Sequence, residues 1–245
     1  MKRLFAIITS MVLLLTAVCP VFAADGGHVV ISQVYGASDD GYADHSFIEL
    51  YNPTDNAVDL SGWSVQYRSS SGGNQADGWA VLKLDGVIAA NGYYLIRCGA
   101  VTNPSGSYQV PQGNQEWDMI LHNKGVSVAL LSGDTHLTDA FSGDITAEGF
   151  DLPAGFVDLV AVGGNDGTED QAPPAYEGAF ANIQSKKKAV RRIGLADTDN
   201  NETDLEGVNY SKSVSDDKGP HAGVESVITT PDYTAVETTD TQYNG

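Results

Sequence analysis

Hydrophobic and polar residues alternate along much of this chain with a period of two. Phe47, Glu49 and Tyr51 fall on one side of a short segment, and the two residues between them are aliphatic. Successive side chains of a β-strand point to opposite faces of its sheet, so this alternation predicts a strand. Trp63 and Val65 belong to a second alternating segment, in which they are expected to point inward together with Tyr67.

Similar segments recur at fairly regular intervals and are separated by residues typical of turns. They lie at 28–35, 46–51, 63–67, 79–84, 93–98, 125–131 and 156–162. No segment has the periodicity of an amphipathic helix over a useful length. Seven or eight short strands predict an all-β protein with an immunoglobulin-like β-sandwich, and a β-barrel is the alternative architecture.

The N-terminus has the composition of a secretory signal peptide. Lys2 and Arg3 precede an apolar run, and small residues follow, so cleavage is expected after Ala23 or Ala24. The apolar run is shorter than the roughly 20 residues that span a bilayer, which favours cleavage over a retained anchor. We therefore expect a secreted, extracellular or cell-surface protein with no transmembrane segment after cleavage.

The chain has two cysteines, and the first lies within the predicted signal peptide. Lipidation of Cys19 is the alternative to cleavage after it, but Val18 stands where a lipoprotein signal has a smaller residue. If Cys19 is removed, Cys98 is the single cysteine and no internal disulfide can form. A lone cysteine after an apolar run is expected to be a small buried hydrophobe.

The C-terminal residues lack the bulky side chains of a core and are rich in Thr, Val, Glu and Asp. This composition predicts disorder. The predicted organisation is a signal peptide over 1–24, a β-sandwich domain over 25–210 and a flexible, acidic, Thr-rich tail over 211–245.

The charge of the chain is strongly negative. There are 13 Lys+Arg against 32 Asp+Glu, giving −19, and removal of Lys2 and Arg3 leaves 11 against 32, or −21. Such a surface repels phosphate backbones, so nucleic-acid binding by the domain as a whole is not expected. The same charge attracts cations such as calcium, although solubility alone would also explain it.

Several strings resemble the bacterial lamin tail domain. They are VISQVYG at 30–36, FIELYNPT at 47–54, VDLSGWSV at 58–65, GYYLI at 92–96, GVSVAL at 125–130, VDLV at 157–160, and Arg192 followed by DTDNN at 197–201. The resemblance covers roughly residues 28–205. It implies an immunoglobulin-like sandwich that serves as an accessory or interaction module of exported proteins, often beside a hydrolase domain. It implies no catalytic residues.

The residues themselves also offer no catalytic site. Glu49 lies among aromatic residues in a predicted strand, and a buried carboxylate needs a backbone amide or a cation as partner, so a structural role is expected. The histidines are not spaced as a zinc motif, and the chain has no nucleophile elbow or phosphate-binding glycine loop. We therefore expect no enzymatic activity and no certain cofactor.

One acidic run has the spacing of a calcium loop. Asp197, Asp199, Asn201 and Asp204 offer side-chain oxygens near one another in sequence, and calcium takes six to eight oxygen ligands. The run lacks the glycine and the terminal glutamate of an EF-hand. A turn whose side chains cap their own backbone is the alternative.

A basic run precedes it, and five of the 11 cations left after signal removal occur there. They are Lys186, Lys187, Lys188, Arg191 and Arg192. The run is a candidate contact for an anion or a polymer such as a teichoic acid. A solvated edge strand is the alternative, because lysines often protect sheet edges.

These observations favour a secreted, non-catalytic binding module whose ligand the sequence does not name. The expected partner is a protein or a cell-envelope polymer. The alternatives are an accessory module of an extracellular nuclease or phosphatase system, and a calcium-linked structural component of a cell surface or matrix.

Overall fold

The computed structural model describes residues 27–70, 78–106, 108–168 and 171–223, which are almost entirely strands and loops. The predicted signal peptide and Cys19 lie outside these residues. The strands are β1 (Val30–Tyr35), β2 (His45–Tyr51), β3 (Val58–Asp59), β4 (Ser64–Ser69), β5 (Ala80–Lys83), β6 (Val87–Ile88), β7 (Tyr93–Ala100), β8 (Gln115–Trp117), β9 (Val126–Leu131), β10 (Gly143–Asp144), β11 (Phe156–Gly164), β12 (Ala175–Tyr176), β13 (Asn182–Gln184), β14 (Lys188–Arg192) and β15 (Leu205–Asn209). Within the described ranges there is one α-helix, α1 (Asn201–Asp204), a single turn.

Two main sheets form the fold. The first has six strands in the order β15-β14-β1-β2-β7-β8, and the second has five in the order β13-β11-β9-β4-β5. Within these two sheets, neighbouring strands are antiparallel except β7 with β8 and β11 with β13, which are parallel. Two short ribbons, β3 with β6 and β10 with β12, lie beside them. The predicted immunoglobulin-like β-sandwich is confirmed.

The main core lies between the two sheets and draws on alternate residues of both. Its buried side chains include Ile31, Val34, Ile48, Leu50 and Ile96 of the first sheet and Val65, Tyr67, Val128, Leu130 and Val160 of the second. Trp63 is partly buried against the same core. The residues predicted to point inward at 63–67 therefore do so. Burying an aliphatic side chain contributes about 1.5–3 kcal/mol, so this interior is the main source of stability.

Each sheet is also covered on its outer face. Tyr35 and Phe47 of the first sheet pack with Tyr210 from the segment after β15. On the second sheet, Leu131 and Trp79 pack under the long connection between β9 and β11. Phe47 and its neighbour Ile48 thus belong to different cores, as the alternation predicts.

The predicted boundary between domain and tail at residue 210 stays a prediction, and the first part of the predicted tail contacts the domain. Residues 211–223 are described, and Gly219 and Pro220 are buried against the first sheet. The composition of this segment did not predict the packing, because the segment consists mainly of turn residues and short polar side chains. The rest of the predicted tail, 224–245, lies outside the described residues.

The basic run at 186–192 was alternatively interpreted as an edge strand. That interpretation is wrong for β14. β14 pairs with β1 on one side and with β15 on the other, and β15 forms the edge.

Within the part of the chain that is described, no helix has the length and apolarity needed to cross a membrane. Cys98 is free and buried in the main core, as expected, and burial raises the pKa of its thiol.

Candidate functional site

An arginine at the end of β14 organises the most highly charged interior region. Arg192 is fully buried, and its guanidinium pairs with Asp158 of β11, with Asp197 at 3.1 Å and with Asp204 at 3.3 Å. Its Nε donates to the carbonyl of Ile31 at 3.2 Å. A buried cation needs such partners, because taking a charge out of water costs several kcal/mol. We call Arg192 with Asp158, Glu177, Asp197 and Asp204 the buried acidic cluster.

The acidic run of the sequence folds around this arginine through local caps. Asn200 is the N-cap of α1, and its side chain accepts from the amides of Glu202 and Thr203. Asp204 accepts from the amide of Thr198 at 2.8 Å and from its hydroxyl at 2.6 Å. These are the hydrogen bonds of a self-capping turn.

Asn201 links this turn to the second sheet. Its side-chain amide donates to the carbonyl of Leu159 at 2.8 Å and to Oε2 of Glu177 at 3.0 Å. Its Oδ1 accepts from the amide of Glu177 at 3.1 Å. Both the nitrogen and the oxygen of the side-chain amide thus have protein partners.

The structure gathers a different set of oxygens from the one predicted. Among the described residues, the single group of three acidic side chains with ligand atoms within 4.8 Å of one another is Asp158, Glu177 and Asp197. Asp197 alone belongs to the predicted set. Asp158 and Glu177 come from β11 and from the segment after β12, and sequence spacing gave no signal for them. Calcium binding by Asp197, Asp199, Asn201 and Asp204 stays a prediction.

The electrostatics of the cluster favour bound protons. Burial raises the pKa of Asp158 to about 6, although Arg192 opposes the shift. Burial and the charge of Asp158 raise the pKa of Glu177 well above its usual value. Burial would also raise the pKa of Asp197, but the hydrogen bond from His28 and the charge of Arg192 lower it. The cluster therefore has more acid groups than its one permanent cation can balance.

A second site lies at the surface, where β14 begins. Lys187 and Lys188 are exposed, and Nζ of Lys187 lies 5.5 Å from the ring centroid of Tyr42. Lys186 is paired with Asp40 at 2.6 Å. The amide of Tyr210 donates to the carbonyl of Lys187 at 2.7 Å, which brings the segment after β15 alongside.

That segment adds a cation that sequence reasoning missed. Lys212 is exposed and follows Tyr210 by two residues. Only the pairing of β14 with β15 places it near the basic run. We call Lys186, Lys187, Lys188 and Lys212 the basic corner.

The two arginines of the predicted polymer contact do not join this corner. Arg192 is enclosed between the sheets with a side-chain exposure of 0%, so its inclusion in a surface contact is wrong. The exposed Lys188, four residues earlier on the same strand, gave no sign of this burial. Arg191 is partly buried about 10 Å along the strand from Lys188.

Glu49 has the structural partners that the sequence predicted. The residue is 1% exposed and accepts a hydrogen bond from the hydroxyl of Ser32 at 2.6 Å. The backbone amide of His221 donates to Oε2, and Nδ1 of the same histidine lies 2.9 Å from that oxygen. The carboxylate is thus held by amide, hydroxyl and imidazole donors.

Comparison with known proteins identifies one family. The family model described as Lamin Tail Domain matches residues 23–143. No curated protein matches the chain. Among solved structures, a DUF4876 family protein from Bacteroides thetaiotaomicron VPI-5482 is similar at 13% identity and a TM-score of 0.48, covering 79% of this chain and 74% of that chain. The match to the family model ends before β11 and so does not include the buried acidic cluster. The strings at 30–65 that suggested the family lie within the match, and residues 23–143 are of the lamin tail domain family.

Proposed function

We propose that this protein is a secreted, non-catalytic binding module that contacts an anionic cell-envelope polymer through its basic corner. The observation that carries the proposal is the grouping of three exposed, unpaired lysines. Lys187, Lys188 and Lys212 are exposed, and none of the ion pairs of the described residues includes them. The signal peptide predicted over 1–24 would bring the domain to such a polymer.

The chemistry of the corner favours phosphate groups. Its cations are lysines, which bind phosphate as mobile point charges without the fixed fork geometry through which arginine holds phosphate or carboxylate. The chain as a whole has a net charge of −19, which repels a long polyanion lying across the domain. A flexible polymer that touches only the corner, such as a teichoic acid, avoids most of that repulsion.

The first test measures binding of purified lipoteichoic acid to the secreted chain at low salt. Substituting Lys187→Gln, Lys188→Gln and Lys212→Gln together is expected to weaken binding about tenfold, because an exposed ion pair contributes about 0.5 kcal/mol. Affinity should also fall as the salt concentration rises. Isothermal titration calorimetry at two salt concentrations measures both effects.

The matched control changes lysines elsewhere on the surface. Lys83→Gln with Lys124→Gln removes charge outside the basic corner and should leave affinity nearly unchanged. A loss of binding free energy in the control that is about two thirds of the loss in the test variant, in proportion to the two charges removed against three, would mean that only net charge matters. No binding by the parent protein at low salt would overturn the proposal.

The grouping of Asp158, Glu177 and Asp197 favours a second candidate, a calcium-linked structural component of a surface or matrix. In that case millimolar calcium should raise the melting temperature relative to chelator, by RT ln(1 + [L]/Kd) in free energy. Differential scanning calorimetry with calcium, with magnesium and with chelator is the measurement. Identical melting temperatures in all three would exclude this candidate.

A further inference from the structure

The segment after β15 crosses the outer face of the six-stranded sheet. We call residues 211–223 the C-terminal strap. Midway along it, the carbonyl of Lys218 accepts a hydrogen bond from Nε2 of Gln33 at 3.3 Å. Gly219 lies against the hydroxyl of Tyr108, and Pro220 is buried. The strap is therefore seated on the sheet by backbone contacts before it reaches its main anchor.

The main anchor is the histidine near the end of the strap. His221 is bound to Glu49 through both its backbone amide and its imidazole, the latter at 2.9 Å. Its ring stacks on Tyr93 with centroids 4.3 Å apart and planes inclined by 22°. Tyr93 in turn packs against Tyr51 with centroids 4.8 Å apart. One residue of the strap thus covers the carboxylate and the aromatic pair at once.

A second anchor follows immediately. The amide of Gly223 donates to Oδ1 of Asn114 at 2.8 Å, and Nδ2 of Asn114 donates to the Gly223 carbonyl at 3.0 Å. A Cβ at residue 223 would lie 1.9 Å from the carbonyl oxygen of Tyr93, so only glycine fits this close approach. The side-chain amide of Asn114 thus forms two reciprocal hydrogen bonds with the backbone of Gly223, as the backbone of a paired β-strand does.

Charge distinguishes the first anchor from the second. Glu49 has a side-chain exposure of 2%, and the imidazole of His221 is the only ionisable donor that hydrogen-bonds it in the described structure. Its other donors, the Ser32 hydroxyl and the His221 amide, are neutral. If the imidazole loses its proton, a buried carboxylate keeps only neutral partners, which weakens the contact.

The remaining ionisable groups around His221 come from several elements. They are Glu49 on β2, Tyr93 on β7, Arg191 on β14 and Asp216 within the strap. Arg191 opposes protonation of the imidazole, whereas the carboxylate of Glu49 and a hydrogen bond with the backbone of Asp216 favour it. Glu49 is the nearest of them and dominates.

We propose that the C-terminal strap is a proton-dependent cover, docked while His221 is protonated and opening more often when His221 is neutral. Opening uncovers Glu49 and the tyrosine pair Tyr51 and Tyr93 on the outer face of the sheet. Lys212 of the basic corner lies at the start of the strap, but the anchors at His221 and Gly223 involve no residue of that corner, so the device would act whether or not the corner binds a polymer.

The direction of the pH dependence follows from the anchor. The hydrogen bond to Glu49 raises the pKa of His221 above its usual value, against the opposing effect of burial. A raised pKa in the docked state means that docking is fully stabilised below the ordinary histidine pKa. This stabilisation is lost as pH rises through the raised pKa.

Trypsin cleavage after Lys218 measures strap opening in the full chain. His221→Gln keeps the backbone bond and the approximate shape but has no charge. At pH 6 the variant should be cleaved about tenfold faster than the parent, because a hydrogen bond to a charged group is lost. At pH 9 the two rates should agree, since His221 is then neutral. Taking the ratio at each pH cancels the pH dependence of trypsin itself.

His28→Gln is the matched control, because His28 also pairs with a carboxylate, Asp197 at 3.3 Å, away from the strap. Its cleavage ratio after Lys218 should stay near one at both pH values. A ratio for His221→Gln that is near one at pH 6, or the same at pH 6 and pH 9, would overturn the proposal. An NMR titration of the parent protein gives a second check: a pKa of His221 no higher than that of the same histidine in a peptide of residues 217–225 would also overturn it.

Discussion

Replacing Arg192 with methionine is expected to lower the free energy of unfolding by about 3–5 kcal/mol at neutral pH. Methionine fills a similar volume without a charge. The substitution leaves Asp158, Asp197 and Asp204 without their shared cation in a region where the arginine and Asp158 have 0% exposure. The loss should be smaller at pH 4, because burial raises the pKa of Asp158 to about 6 and its protonated carboxyl group no longer needs a cation. Urea unfolding followed by tryptophan fluorescence measures both values.

The neighbouring arginine provides a matched control. Arg191 lies on the same strand but points to the opposite face, is partly exposed and has no ion pair among the described residues. Arg191→Met should change the free energy of unfolding by no more than about 0.5 kcal/mol. If both substitutions cost the same, the buried acidic cluster does not depend on its arginine.

The strands could be predicted because their pattern is local. Phe47 and Ile48 are neighbours in sequence, so the alternation predicts that they point to opposite faces of β2. Both are buried, each in a different hydrophobic core. The partners of Glu49 were predictable in kind, since a carboxylate among aromatics needs donors. The identity of the donor was not, because His221 lies 172 residues away in sequence.

The candidate sites could be predicted only in part, because they depend on pairing between distant strands. Arg192 looked like a surface cation because Lys186 to Lys188 precede it, and the second sheet that covers it begins elsewhere in the chain. Asp158 is separated from Arg192 by 34 residues. Lys212 joins the basic corner only through β15. Composition shows only that such residues are charged or lie in loops. Which of them are buried depends on the pairing and register of the strands.

The same cluster should make the protein less stable as pH rises over part of the acidic range. Burial raises the pKa of Asp158 to about 6 from 3.8, so the folded chain holds a proton that the unfolded chain releases. This contribution is fully present below pH 3.8 and is lost as pH rises through about 6, a change of about 3 kcal/mol. Asp197 acts in the opposite direction because its pKa is lowered. Comparing the free energy of unfolding of single variants at each pH therefore separates the contributions of the individual carboxyl groups better than the pH profile of the parent protein alone.

Glu177→Gln should make the protein more stable than the parent at pH 8 and about equally stable at pH 4. Burial and the nearby charge of Asp158 raise the pKa of Glu177, so its stabilising proton is lost as pH rises through that raised value. Glutamine has nearly the same shape, is neutral at every pH and can still accept from Asn201. Glu202→Gln, which changes an exposed carboxylate of α1, is the control and should not reproduce the gain in stability at pH 8. Urea unfolding of the three proteins at pH 4, 6 and 8 measures the difference. A glutamine variant that is less stable than the parent at pH 8 would show that Glu177 is ionised there and that its charge is needed, as it would be if the cluster held a metal cation.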